Sequence, residues 1–168
     1  MTSPASKTQI LMTRTALGLM AAFVVLGVAM YGLSTEVFGR IWHNTLDRAG
    51  GPMTFRFILQ PIMASIAALY DGMADARNGR SHYLWTVLTD PAKRLGRLRE
   101  GARATSRILL LGLTMDAIYQ YTVFDTFHPA EAVIITLLLA FAPYVLLRGP
   151  VARLVSCLRG GAAAGADR

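Results

Sequence analysis

Residues 15–33 (TALGLMAAFVVLGVAMYGL) are nineteen consecutive positions without a charge. At about 1.5 Å per helical residue they reach roughly 28 Å, the thickness of a bilayer's hydrocarbon core, and so predict a transmembrane helix. Lys7 and Arg14 precede the run as in a signal peptide. The run nevertheless exceeds the roughly 7–15 residues of an h-region, and no small-x-small cleavage site follows, so it reads as an uncleaved anchor. Composition agrees: 54% of residues are hydrophobic, 16% are charged and the mean hydropathy is +0.42, whereas about a quarter of a soluble domain is charged. Cys157 is the only cysteine, which excludes an intrachain disulfide, a paired-cysteine metal site and a redox pair.

Three further segments complete an all-α, polytopic reading of residues 1–168 as a single membrane domain. Residues 108–124 and 130–147 are joined by the short polar turn DTFHPAE, which connects only adjacent antiparallel helices. Pro129 suits a first helical turn and Glu131 follows where a carboxylate favours a helix N-terminus. Pro143 predicts a kink in the second arm. Residues 55–73 (FRFILQPIMASIAALYDGM) are less apolar, because Arg56, Gln60 and Asp71 interrupt them; they read as a span with charged ends or as a re-entrant helix.

Charge decides in favour of a span. If 55–73 crosses, fourteen Lys and Arg fall on one side and two, Arg40 and Arg48, on the other, with Arg56 at the border. That asymmetry predicts that both termini and the basic loop 77–107 face the cytoplasm. Residues 36–52 then form an external interfacial loop. Asp90-Pro91 reads as an N-cap followed by proline at the first helical position, opening a cytoplasmic amphipathic helix that ends at Arg107. Its Leu95, Leu98 and Ala102 face would enter the lipid, with Lys93, Arg94, Arg97, Arg99 and Arg103 at anionic head groups. The alternative is that these residues only fix topology. The tail 160–168 reads as flexible. Small residues at Gly18 and Ala22, and at Ala64, Ala68 and Gly72, predict close helix contacts.

Asp116 stands at the middle of the 108–124 span, eight residues from either end. Its insertion cost of roughly 3 kcal/mol is offset by the surrounding apolar residues. It reads as a relay for protons or ions, or as a hydrogen-bonding link to Ser65, Gln60 or Thr136. No cation of the chain is expected at that depth, so it is expected to be a neutral acid. Asp71 and Asp75, four residues apart on one helical face, could hold a divalent cation, or pair with Arg77, Arg80, Arg107 or Arg148. Asp125, His128 and Glu131 read as cap residues, with Arg56 as their ion partner. His43, His82 and His128 are placed in loops. No metal, cofactor or nucleic-acid site is expected, and no phosphate loop, catalytic triad or nucleophile elbow is present.

The stretch DGMADAR resembles the opening of the CDP-alcohol phosphotransferase motif. One extra residue separates Asp71-Gly72 from Ala76-Arg77, and the second half of that motif has no counterpart downstream. Between about residues 53 and 153 the chain resembles a family of small, uncharacterised bacterial inner-membrane proteins. That likeness rests on Arg56-Phe57, Gln60-Pro61, the DG and DAR of residues 71–77, REG at 99–101, DAIYQ at 116–120 and PYVLLRGP at 143–150. It implies a bacterial cytoplasmic membrane and no activity. The expected function is a non-enzymatic bundle that scaffolds or assists a membrane complex, with anionic lipids and other subunits or a second copy as partners. The alternatives are a small proton-coupled transporter or channel using Asp116, and a lipid-modifying enzyme at the inner leaflet using Asp71 and Asp75.

Overall fold

The computed structural model describes residues 6–32, 35–81, 83–124 and 126–166, with side chains at all of these except 35–38, 46, 49, 124 and 159–166. Asp125 and His82 lie outside the described residues. The fold is helical throughout, with no strand among the described residues. In chain order the elements are α1 (Lys7–Tyr31), α2 (Thr35–Gly50), α3 (Arg56–Arg77), α4 (Tyr83–Thr89), α5 (Pro91–Tyr119), α6 (Pro129–Thr136) and α7 (Ala142–Ala166). Three of the helices are long and apolar enough to cross a membrane: Lys7–Tyr31, Arg56–Arg77 and the rod Pro129–Leu158 formed by α6 and α7.

Local chemistry sets the helix ends. Ser6 caps α1 by accepting from the Gln9 amide at 3.1 Å, and Gly32, at φ +66°, ends it in a conformation that favours glycine. Asp90 caps α5 as expected, accepting from the Ala92 and Lys93 amides at 3.1 and 3.2 Å, with Pro91 next. Lys93 lies 3.0 Å from the same carboxylate and, with those amides, holds its pKa below the usual range. Pro129 occupies the first turn of α6, and Glu131 lies in that turn.

The helix opened by Pro91 does not stop at Arg107. It runs unbroken to Tyr119 and continues through a π-helical turn, Gln120–Phe124. The expected amphipathic helix and the expected third span are therefore one rod. No proline or glycine stands at the Arg107–Ile108 junction to end a helix, and a change from basic to apolar composition is not a break in backbone hydrogen bonding. Leu95 is exposed, but Ala102, assigned to the lipid on the sequence pattern, is buried. Residues 36–52, expected as a loop, lie mostly in α2, and His43 is helical. The tail beyond residue 160 continues α7 as far as Ala166. A second π turn, Leu137–Phe141, stands immediately before Pro143. Its wider register, with the Ala142 amide on the Leu137 carbonyl, leads into a proline that has no N–H to donate.

The core is thin and made largely of small residues. Ala16 of α1, Ala64 and Ala68 of α3, Leu109 and Leu113 of α5, and Ala132 and Ala140 of the α6–α7 rod are buried together. Of the expected small-residue stripes, the one on α3 is in contact. A Cβ at Gly72 would lie 2.9 Å from the Arg148 carbonyl oxygen and 2.8 Å from a Val151 methyl, so α3 and α7 touch backbone to side chain there. Gly18 and Ala22 are exposed. The buried stripe of α1 is instead Thr13, Ala16, Met20 and Gly27, and at Gly27 a Cβ would lie 2.5 Å from that of Ala130.

Candidate functional site

The chemistry-bearing residues gather at the two ends of α3, in two buried ionic clusters. Around its N-terminus the centre is Asp116, fully buried. Arg56, the first residue of α3, donates from Nη2 to its Oδ1. The Nε of Arg48 lies 3.5 Å from the same oxygen, and Gln120 donates to Oδ2 at 2.6 Å. Arg48 also reaches Glu131 with Nη2 at 3.2 Å, linking the two carboxylates. Glu131 accepts further from Arg40 Nε at 3.2 Å and from Asn44 Nδ2 at 3.0 Å. The Tyr119 ring lies beneath both buried guanidiniums, at 5.3 Å from Arg56 and 5.9 Å from Arg48.

Helix α2 supplies three of these groups from one face. Arg40, Asn44 and Arg48 are spaced i, i+4, i+8, so they point together into the bundle, while Trp42 and His43 point out. Gln120 fastens the neighbouring hairpin turn. Its Oε1 accepts the His128 amide at 2.5 Å, and its Nε2 donates to the His128 carbonyl at 3.2 Å. The π turn that begins at Gln120 keeps that side chain four residues from Asp116 and facing the turn.

Around the C-terminus of α3 the centre is Arg148, only 1% exposed. It donates to Asp75 at 2.8 Å and to Glu100 at 2.8 Å, and stands 3.8 Å from Asp71. Arg97 and Arg80 lie 3.4 and 3.6 Å from Asp75 and 3.1 Å each from Glu100. Two tyrosines complete the cluster. Tyr144 donates to Asp71 at 2.6 Å. Tyr83 donates to the Arg97 carbonyl at 2.8 Å and places its ring 4.5 Å from the Arg148 guanidinium. Burial pushes the Tyr83 phenol up to about 12, against the opposing pull of Arg148. Burial alone would raise Glu100, but hydrogen bonds and charge from Arg148 and Arg97 outweigh it and hold the carboxyl below its usual range. Gly101 has no room for a side chain between Tyr83 and Tyr144.

Several expectations change on this geometry. Asp116 is level with the start of α3, at one end of the bundle, and two guanidiniums face it. The view of it as a lone acid beyond the reach of any cation is overturned. The reason is that α5 starts seventeen residues before Ile108, so Asp116 is no longer at its centre. Ser65 is not its partner and donates to the Pro61 carbonyl at 2.6 Å; Gln60 and Thr136 are buried nearby, with Gln60 Oε1 and Thr136 Oγ1 making no hydrogen bond. Arg56 pairs with Asp116, not with the hairpin turn, and Glu131 takes its cations from α2. Asp75 pairs with Arg80 and Arg148 as expected, while Arg97 and Glu100 join them without having been anticipated there. Arg94 donates to the carbonyls of Val87 and Leu88 at 2.8 and 3.1 Å, and Arg97 is largely covered. Lys93, Arg99 and Arg103 remain exposed and able to meet head groups.

Between the clusters the interior is apolar. The Thr105 and Ser106 hydroxyls donate to carbonyls of their own helix, at 2.9 and 3.0 Å. Among the described residues no group of three or more histidine, cysteine or acidic side chains is arranged to hold a metal. The oxygens of Asp71 and Asp75 face guanidinium and phenol groups in the positions a divalent cation would need. Comparison with protein-family models, curated proteins and solved structures returned no match.

Proposed function

We propose that the chain is a four-span, non-enzymatic bundle of a bacterial inner membrane that scaffolds or assists a larger membrane complex, with both termini cytoplasmic. The observation that carries this reading is the separation of the two ionic clusters. Along α3, Arg56 and Asp75 are about 28 Å apart; along α5, Glu100 and Asp116 are about 24 Å apart; along the α6–α7 rod, Glu131 and Arg148 are about 26 Å apart. Three helices give close to the thickness of a hydrocarbon core, and the buried stretch between is mostly apolar, with Gln60, Thr105, Ser106 and Thr136 among its polar residues. Each cluster then lies at one boundary, where charged side chains cost least.

On this reading α5 is the fourth span, crossing between Glu100 and Asp116. It is too charged to be recognised by composition, because Arg103, Arg107 and Asp116 fall close together. Arg103 and Arg107 are exposed on its lipid side. Helical side chains lean toward the N-terminus, here the cytoplasmic side, so both arginines snorkel back to that interface. Its buried face packs against α1, α3 and α6.

The committed state of the buried acids supports a structural role over chemistry. Asp116, Glu131 and Asp75 each face at least two guanidiniums of this chain. A relay through Asp116 or a metal-dependent reaction at Asp71 and Asp75 would first have to displace them. The exposed apolar residues of α1, among them Leu17, Val25 and Met30, offer a face for lipid or for helices of other subunits. Purification in mild detergent tests the proposal: a stoichiometric membrane partner is expected. A homodimer that takes up protons would favour the transporter reading, and bound divalent metal with turnover of a phospholipid would favour the enzyme.

A further inference from the structure

Where α1 and α6 meet below α2, the bundle leaves a crevice of about 230 Å³. Val24 and Val28 form one wall and Ile134 the other, with the close approach of Gly27 to Ala130 as its floor. Val24, Val28 and Ile134 are each partly open to the outside of the bundle. The walls are apolar along the stretch from Val24 to Tyr31, about 10 Å deep. Helix α2 roofs the crevice with Arg40 and Ile41 and is tied to Glu131 and Asp116 by the polar arms described above.

An apolar space of this size stays dry and takes up hydrocarbon. If these helices span a bilayer, the reading on which this inference rests, the crevice opens sideways at acyl-chain depth below the Arg56-end boundary. The charges at its mouth are not balanced. Among the described residues, three guanidiniums, Arg40, Arg48 and Arg56, face two carboxylates, Asp116 and Glu131, and Arg40 is the most exposed of the three. Its side chain is 36% exposed, and its guanidinium sits 4.9 Å over the Tyr31 ring at the rim. Burial, opposed by Glu131 and aided by Arg40 and Arg48, lowers the pKa of the neighbouring His128.

We propose that this crevice is a binding site for one anionic phospholipid, an acyl chain lying between α1 and α6 and the head-group phosphate meeting Arg40. The site joins an apolar slot of chain depth to a partly exposed guanidinium that shares Glu131 with Arg48, the two features by which a phospholipid differs from a helix or a small anion.

The test uses the full chain in nanodiscs of mixed phosphatidylglycerol and phosphatidylcholine, delipidated stepwise and read by native mass spectrometry. The wild type is expected to retain one phosphatidylglycerol, with about a fivefold preference over phosphatidylcholine, the ratio that roughly 1 kcal/mol per basic residue gives. Val28→Trp, which fills the slot, should lose the retained lipid. Ile134→Trp, from the opposite wall, repeats the test in case the first variant misfolds. Arg40→Gln should keep a lipid but lose the preference. Equal retention by the wild type and both tryptophan variants, or an unchanged preference in Arg40→Gln, would overturn the site while leaving the spanning reading intact. Release of the protein from native membranes by alkaline carbonate would overturn both.

Discussion

The two ends of the bundle solve the same problem in different ways. At the Asp75 end three arginines face three carboxylates; Asp75 and Arg148 are buried, but water reaches the other two carboxylates, since the Asp71 and Glu100 side chains are 35% and 33% exposed. At the Arg56 end Asp116 and Glu131 are almost completely enclosed; Arg56 of α3 and Arg48 of α2 face Asp116, and Arg40 and Arg48 of α2 face Glu131. A buried ion pair that loses one partner leaves an uncompensated charge, which costs about 3–5 kcal/mol, whereas a partly wet pair loses far less because water substitutes. The comparison therefore predicts an asymmetry: stability should be concentrated at the end whose charges are dry, and local mobility should depend on a single carboxylate there.

The largest effect is expected from Asp116→Leu, which leaves Arg48 and Arg56 facing a methyl group. Thermal unfolding in detergent should show a loss of about 3–5 kcal/mol. The paired variant Asp116→Leu with Arg56→Leu should recover a large part of it, because an apolar pair replaces an ionic one. Additive losses would mean that the contact is not energetically coupled. Next, Glu131→Gln should weaken the three arms of α2 together, by about 2–3 kcal/mol locally. Hydrogen exchange should then rise across Thr35–Gly50 while α3 and α5 stay protected; a uniform rise would show that α2 is no separate unit.

Asp75→Asn should cost less, about 1–2 kcal/mol, since the amide still fills the buried position, Glu100 still receives Arg148, Arg97 and Arg80, and Asp71 stays near Arg148. A loss as large as that of Asp116→Leu would erase the difference between the two ends. The smallest effect at neutral pH is expected from Tyr83→Phe, about 1 kcal/mol for one hydrogen bond. Its signature lies at alkaline pH. The phenol is raised from 10.0 to about 12 in the folded chain, so the unfolded state loses its proton first. Stability is therefore complete below pH 10 and falls as pH rises toward 12. Tyr83→Phe should flatten that fall, and an unchanged slope would show that Tyr83 is not buried as a neutral phenol.

Much of the architecture was legible in the chain. The uninterrupted apolar run after Arg14, the Asp90-Pro91 cap and the Pro129 start each act through local backbone chemistry, and each appears where the residues imply. What the chain concealed was register and pairing. A basic stretch followed by an apolar one suggests two elements, yet no proline or glycine at the Arg107–Ile108 junction interrupts the helix. Asp116 then moved from an imagined centre to an end, and Arg56 came within its reach. The 36–52 segment was hidden by its polarity, because its ordered face is the charged one. Its signal was present in the four-residue spacing of Arg40, Asn44 and Arg48, an inverted amphipathic helix whose polar stripe faces in. The contacts of Glu131 with Arg40, Asn44 and Arg48 join residues more than eighty positions apart, and no local pattern encodes them.

The central claim is that the two clusters mark the two membrane boundaries, so that α5 is deepest midway between Glu100 and Asp116. Nitroxide labels placed singly at 103, 107, 110, 114 and 118 along α5, in the full chain reconstituted in bilayers with Cys157→Ser, measure this through the ratio of oxygen to nickel-chelate accessibility. The account predicts the deepest position between 107 and 110, with 118 back at the interface on the Arg56 side. A maximum at 114 to 118 would return Asp116 to the middle of the membrane and contradict it.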